Sequence, residues 1–262
     1  MATRYLTTPG GTNLLTSLGG TLSDGDTVYV NTGNDTLTDG LNQAAKTFPL
    51  FALVGKFEGS IGDGTSVLEC DIGTLLLQCN ARALYFKAGS TTSTVALAKL
   101  RPTRTNCLIS FTSGTLTECQ MAGGSLIIAD VADINILRQT GGSSILRAGA
   151  QKINTLDLQG GTCQCDRDLG DANVAAGMLI VGDSSVTPDS INVASGATLD
   201  YSGGNIATLT SERGATIDMM KLTKPITITD HYCTEGAVIK SAPGMVTVTN
   251  EHPYGNAPRF GV

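Results

Sequence analysis

The clearest order in this chain is a phrase of apolar positions that ends on a glycine and returns from about residue 114 onward. Leu116, Cys119, Met121 and Gly124 occupy offsets that recur as Ile134, Leu137, Gln139 and Gly142, and again as Ile153, Leu156, Leu158 and Gly161. After one turn in which the register is lost, the phrase returns at Ile191, Val193 and Gly196, and more fully at Ile206, Leu209 and Gly214. The glycines recur at near-equal intervals of about 18 residues, except that Gly161 and Gly196 stand two such intervals apart, which leaves room for one rung between them. A second match supports the first: Gly196-Ala197-Thr198-Leu199-Asp200-Tyr201 reappears one period later as Gly214-Ala215-Thr216-Ile217-Asp218-Met219.

A unit this short cannot bury an apolar face alone and must stack on its neighbours. Within each rung the apolar residues alternate, as in Thr216-Ile217-Asp218-Met219, so the units are strands with one face inward. The pattern predicts an all-β fold, a single-chain parallel β-helix with rungs of about 18 residues. Gly124, Gly142, Gly161, Gly196 and Gly214 are its expected corners, where a tight bend demands a positive φ. A leucine-rich repeat is the competing solenoid, since Ile153-x-x-Leu156-x-Leu158-x-x-Gly161 resembles that consensus. Its period of about 20–29 residues and its Asn or Cys in place of the glycine fit less well.

The first hundred residues are less regular. Asp24-Gly25-Asp26 followed by Thr27-Val28-Tyr29-Val30 reads as a turn and a strand, 39–46 as a short helical turn, and Val67 to Cys70, Leu75 to Leu77 and Ala83 to Phe86 as further strands. We therefore expect an arm and cap over 1–50, the β-helix over 51–249, and an extended C-terminal arm over 250–262, where Pro253 and Pro258 interrupt any periodicity.

Composition narrows the functional classes. Charged residues make up 15% of the chain, against about 25% in an ordinary soluble domain, so threonine, serine, asparagine and glycine must supply the polar surface. A net charge of −6 excludes a nucleic-acid footprint; Lys99, Arg101 and Arg104, the densest basic stretch, read as a solvated loop. The seven cysteines are odd in number and dispersed, several where Leu or Ile fits a strand, and are expected to be buried thiols. Met1-Ala2-Thr3-Arg4-Tyr5 has no apolar leader and no run approaches a membrane span, so synthesis in a reducing cytosol is expected, with no membrane partner.

No residue set announces catalysis. Asp166-Arg167-Asp168-x-x-Asp171 is the richest ionisable cluster, and two carboxylates on successive rungs can flank a glycosidic bond. It falls where the register slips, so we expect an inserted loop with solvated charges. His231 with Cys233, and Cys163 with Cys165, are the closest soft-ligand pairs; both cysteines of the second pair share one strand face and read as core. Thr227 with Thr229 and Thr247 with Thr249 are too few for a threonine array. No catalytic residue, cofactor or metal site is expected.

Gly25-Asp26-Thr27-Val28-Tyr29-Val30, Gly40-Leu41-Asn42-Gln43 and rungs such as 154–162, with their Gly-Gly-Thr and Thr-Leu phrases, resemble β-helical virion proteins of tailed bacteriophages over most of the chain. Within that group the chain is most similar to small capsid decoration, or cement, proteins. The resemblance implies a non-enzymatic structural protein on the outer capsid surface, made in the host cytoplasm, with the major capsid protein and other copies of itself, as a homotrimer, for partners. A tail spike or fibre that binds or cleaves host surface polysaccharide is the alternative.

Overall fold

In the computed structural model, which describes residues 1–6, 11–89, 94–104, 106–128, 132–149, 152–258 and 260, nearly all regular structure is parallel β-strand. The chain is a parallel β-solenoid of about 12 turns. It divides into two compact units, Met1–Asn135 and Ile136–Val262.

In the second unit each turn presents two stacked strands and a third side of loop. The first face carries Ile153–Leu158, Leu169–Val174, Ser190–Val193, Ile206–Ser211, Ile226–Thr234 and Val246–Tyr254. The second carries Ser143–Leu146, Thr162–Cys165, Met178–Val181, Thr198–Tyr201, Thr216–Met219 and Val238–Ser241. Alternation sends every second side chain inward, where like positions stack in register: Leu137, Leu156, Ala172, Ile191, Leu209 and His231 form one inward row. The first five are at most 2% exposed. Burying a Leu or Ile side chain in this way contributes about 1.5–3 kcal/mol each.

Between the two faces the chain turns at glycine. Gly142, Gly161, Gly196 and Gly214 have φ between 78° and 82°, and Gly124, in the first unit, has φ 77°. Gly177 (φ 83°) divides the double interval between Gly161 and Gly196, at the same offset from Ala172 as Gly161 has from Leu156. The turn over 166–185, expected to be irregular, keeps its register: Cys163 lies opposite Leu179 and Leu156 opposite Ala172. The loop expected there as an insertion is instead the shortest third side, 166–168, and the next third side, 182–189, is the longest of the unit. Shortening one loop and lengthening the next disturbs the spacing in sequence while the strand pairs stay aligned.

The first unit follows the same principle with longer turns. Val28 lies opposite Phe51 and Phe51 opposite Leu75, so each of these circuits takes in more chain than the one from Leu156 to Ala172. Residues 1–50, expected as arm and cap, already supply Thr3–Tyr5, Thr27–Gly33, Thr36–Leu37 and the start of Asn42–Phe57. The helical turn expected over 39–46 is therefore strand from Asn42 onward; the helix lies earlier, at Leu14–Ser17, capped by the Asn13 side chain accepting from Thr16 N–H at 3.1 Å. Asp26, 1% exposed, fastens the first strand by accepting from the N–H groups of Ala2 (2.7 Å) and Ser23 (3.0 Å) and from Arg4 Nε (3.2 Å). The Ser23 and Ala2 N–H groups hold its carboxyl below the usual carboxylate range.

The expected arm over 250–262 likewise begins inside a strand, because Asp230 pairs with Asn250 and the ladder continues to Thr234 and Tyr254. Glu251 and Pro253 stand opposite the buried His231 and Cys233 in this last strand and hide its alternation. A charge and a proline at such positions blunt the open edge of a sheet.

Candidate functional site

The third side of the second unit forms a shallow groove of about 710 Å3, crossed by five successive turns and lined by Arg147, Gln164, Asp166, Asp183, Ser202 and Lys221 among others. Each comes from a loop, or from the strand end beside it, at the same level of its turn. The groove therefore repeats the period of the fold.

Asp166, Asp183 and Lys221 are tied locally. Asp183 accepts from Ser185 N–H and Ser185 Oγ, both at 2.8 Å; the backbone contact first and the hydroxyl second depress its pKa. Lys221 donates to Asp200 at 2.5 Å, which raises the lysine's pKa. Asp166 accepts from Gln164 Nε2 at 2.9 Å, and Ser202 Oγ donates to the Val181 carbonyl at 3.0 Å. A carboxyl whose pKa is depressed is a poor general acid near neutral pH, since it holds no proton to give.

The structure separates the acids of the 166–171 cluster. Asp166 faces the groove, Asp168 Oδ1 accepts from Thr187 N–H at 3.0 Å further round the coil, and Asp171 Oδ1 accepts from Ser190 Oγ at 2.6 Å on the first face. Arg167, expected as a solvated charge, is 2% exposed and donates from Nε to the Arg147 carbonyl at 2.8 Å. The 166–168 loop is too short to carry it outward, so the side chain turns in and satisfies backbone.

Cys163 and Cys165 are both fully buried on the inward face of one strand. All seven cysteines are buried free thiols, and desolvation pushes Cys119 and Cys163 up to about 12. Such thiols keep their protons near neutral pH, whereas the thiolate is the nucleophile and the metal ligand. Among the described residues no group of three or more His, Cys, Asp or Glu side chains is placed to hold a metal ion.

His231 takes an inward position and is 2% exposed; its Nε2 lies 3.1 Å from Ser211 Oγ, and Phe260 packs on the ring at a centroid distance of 5.1 Å. Burial lowers its pKa to about 4, so the imidazole is neutral. Gln139, also inward, meets the same need with more bonds: Nε2 donates to the carbonyls of Gly142 (3.0 Å) and Thr162 (3.1 Å), and Oε1 accepts from Ser144 Oγ (2.7 Å).

Outward, the first face of this unit bears a polar row that sequence reading did not single out. Arg138 donates to Asp157 at 2.8 Å, Asn173 Nδ2 to Asp157 at 3.1 Å, and Asn192 Nδ2 to Asn173 at 3.2 Å, each one turn apart. The row ends in Tyr232 and His252, stacked at 4.4 Å. Its signal in sequence is polar residues at the period of the corner glycines, visible once the shifts of Gly177 are included.

These features define the molecule by its class, a parallel β-solenoid with polar side chains bonded both within its loops and from turn to turn. In comparisons with the profiles of known protein families, with curated proteins and with solved structures, nothing matches this chain.

Proposed function

We propose that this chain is a non-enzymatic structural protein of a virion, one that decorates and stabilises the outer surface of a tailed-phage capsid. The observation that carries the reading is the placement of the ionisable groups. Asp157, Asp166, Asp171, Asp183 and Asp200 each accept hydrogen bonds within the coil, from their own loop or a neighbouring turn, and the thiols and His231 are buried. The bonds of Asp157, Asp171 and Asp200 tie one turn to the next, and those of Asp166 and Asp183 stay within their own turn, so each carboxylate is engaged by the coil itself. A stiff coil without disulfides suits assembly in a host cytoplasm, and the sequence resemblance supplies the choice of capsid.

The test is to mix the purified protein with undecorated capsids and image the particles by electron microscopy. Density repeating on the capsid lattice supports the proposal; density at the tail, or none, overturns it. The groove favours a second reading, polysaccharide binding or cleavage by a tail protein, because Asp166 and Asp183 line it from neighbouring turns. Shortening of a capsular polysaccharide by the native protein, lost in Asp166→Asn, would establish that activity.

A further inference from the structure

Where the first face of the second unit gives way to the second, Arg213 precedes Gly214, Glu235 precedes Gly236, and Tyr254 precedes Gly255 at the corner of the following turn. A glycine has no Cβ, and side chains of the preceding turn lie over the space this leaves. A Cβ on Gly236 would stand 3.2 Å from Arg213 Cγ, and one on Gly255 would stand 2.9 Å from Glu235 Oε2. Arg213 and Glu235 are thus laid along the corner on successive turns. With Thr234, Gly236, Tyr254 and Gly255 they line a cleft of about 460 Å3, in which Tyr254 is 63% exposed.

Three other cations of the coil that stand one turn from a carboxylate bond to it: Lys87 to Glu69 at 2.9 Å, Arg138 to Asp157 at 2.8 Å and Arg4 to Asp26 at 3.2 Å. Arg213 and Glu235 have the same one-turn offset, yet among the described residues neither side chain makes a hydrogen bond or an ion pair. The cleft therefore holds a guanidinium and a carboxylate side by side, each open to a partner of opposite charge. We propose that it binds a free α-amino acid with an apolar side chain, its carboxylate on Arg213, its ammonium on Glu235 and its side chain along the Tyr254 ring. The planar guanidinium fork matches a carboxylate bidentately, and a primary ammonium donates to a carboxylate where a quaternary one does not. An α-amino acid carries both charges on one carbon, so a molecule lying across two turns about 4.8 Å apart meets both. A ligand with one charge or none leaves Arg213, Glu235 or both unanswered. Tyrosine adds an apolar ring with a polar tip. The cleft is open and its charges are solvated, so binding is weak, with a dissociation constant of about 1 mM. None of this depends on the capsid reading.

Titration of the intact protein followed by two-dimensional amide NMR tests this with three probes: L-phenylalanine, phenethylamine, which lacks the carboxylate, and 3-phenylpropionate, which lacks the ammonium. The expected result is saturable shifts of the Gly236 and Gly255 amides with L-phenylalanine, and binding at least about tenfold weaker for each of the other two. Arg213→Gln should weaken L-phenylalanine at least about tenfold and leave phenethylamine as it is in the wild type; Glu235→Gln should do the same while sparing 3-phenylpropionate. Lys221→Gln, in the groove of the third side, changes none of these. Arg213 and Glu235 are exposed, so both variants should fold, which the spectra report directly; Arg213→Lys, which loses the bidentate fit, stands in if Arg213→Gln does not. No saturation by about 10 mM L-phenylalanine, roughly ten times the expected dissociation constant, overturns the proposal. So do single-charge probes that bind as tightly, shifts confined to residues outside the cleft, or folded charge variants that bind as the wild type does.

Discussion

The two units build one kind of coil with different turn lengths and different outward residues. Between Met1 and Asn135 the stacked strands Thr3–Tyr5, Thr27–Gly33, Asn42–Phe57, Leu68–Gln78 and Leu97–Leu100 place Tyr29, Leu50, Thr74, Leu76 and Lys99 at partly exposed positions, on long turns such as those from Val28 to Phe51 and from Phe51 to Leu75. Between Ile136 and Val262 one outward row runs through Arg138, Asp157, Asn173 and Asn192, bonded from turn to turn, and ends in Tyr232 and His252, on shorter turns such as those from Leu156 to Ala172 and from Ile191 to Leu209. The inward rows hardly differ: Leu75 and Leu156 are both fully buried. Stacking constrains the inward positions alone, so turn length and outward chemistry vary independently of the fold, and function belongs to those variable positions.

If the interiors are equivalent, Leu75→Ala and Leu156→Ala should each destabilise their own unit by about 2–5 kcal/mol in urea unfolding. A much smaller loss at Leu75 would mean that the longer turns pack less well, breaking the equivalence.

The corners offer a finer cut. A Cβ on Gly161 would lie 2.2 Å from the Gly142 carbonyl oxygen, whereas one on Gly196 meets nothing within 4 Å. Both have positive φ, so Gly196→Ala carries the backbone cost alone, about 1 kcal/mol, and Gly161→Ala at least about 2–3 kcal/mol. Equal thermal shifts in the two variants would show that the close stacking of Gly142 on Gly161 relaxes freely.

The second unit alone has a buried histidine in an inward row. With the folded pKa near 4 and the ordinary value 6.5, the unfolded chain binds more protons between those limits. The contribution is intact above about pH 6.5 and is lost as the pH falls toward 4, costing about 2 kcal/mol between pH 7 and 5. His231→Leu should flatten that part of the profile, measured as urea midpoints at the two pH values; an unchanged slope would assign it to carboxylates instead.

Smallest of all, Asn173→Ala removes one link of an exposed polar row and should cost under about 1 kcal/mol. Its stability difference from wild type, if larger, would make the row structural and weaken the contrast between the two outer surfaces.

The solenoid was legible because inward positions repeat and the corners need glycine. Legibility failed where those signals weakened. The turn containing Gly177 carries the full phrase, Leu169, Ala172, Val174 and Gly177, but Ala172 is too small to mark a core position and the flanking loops shift the spacing. In the first unit a strand such as Asn42–Phe57 runs 16 residues and shifts register between Asn42 and Thr47, so no fixed period crosses it. The groove was invisible for another reason: Arg147, Asp166, Asp183 and Lys221 are brought level by coiling, and loops of unequal length give them no common interval in sequence.

Those unequal loops have a practical meaning. Third sides as short as 166–168 and as long as 182–189 follow one another in the second unit while the strands beneath them stay in register. Loop closure grows more costly only slowly with length. The 182–189 segment, already the longest, is thus a natural splice site: a foreign peptide inserted at exposed Ser185 would project sideways from a coil that does not need to be redesigned to carry it. Each successive turn offers another such port about 4.8 Å along, which makes this unit a ruler on which epitopes or ligands can be mounted at chosen separations.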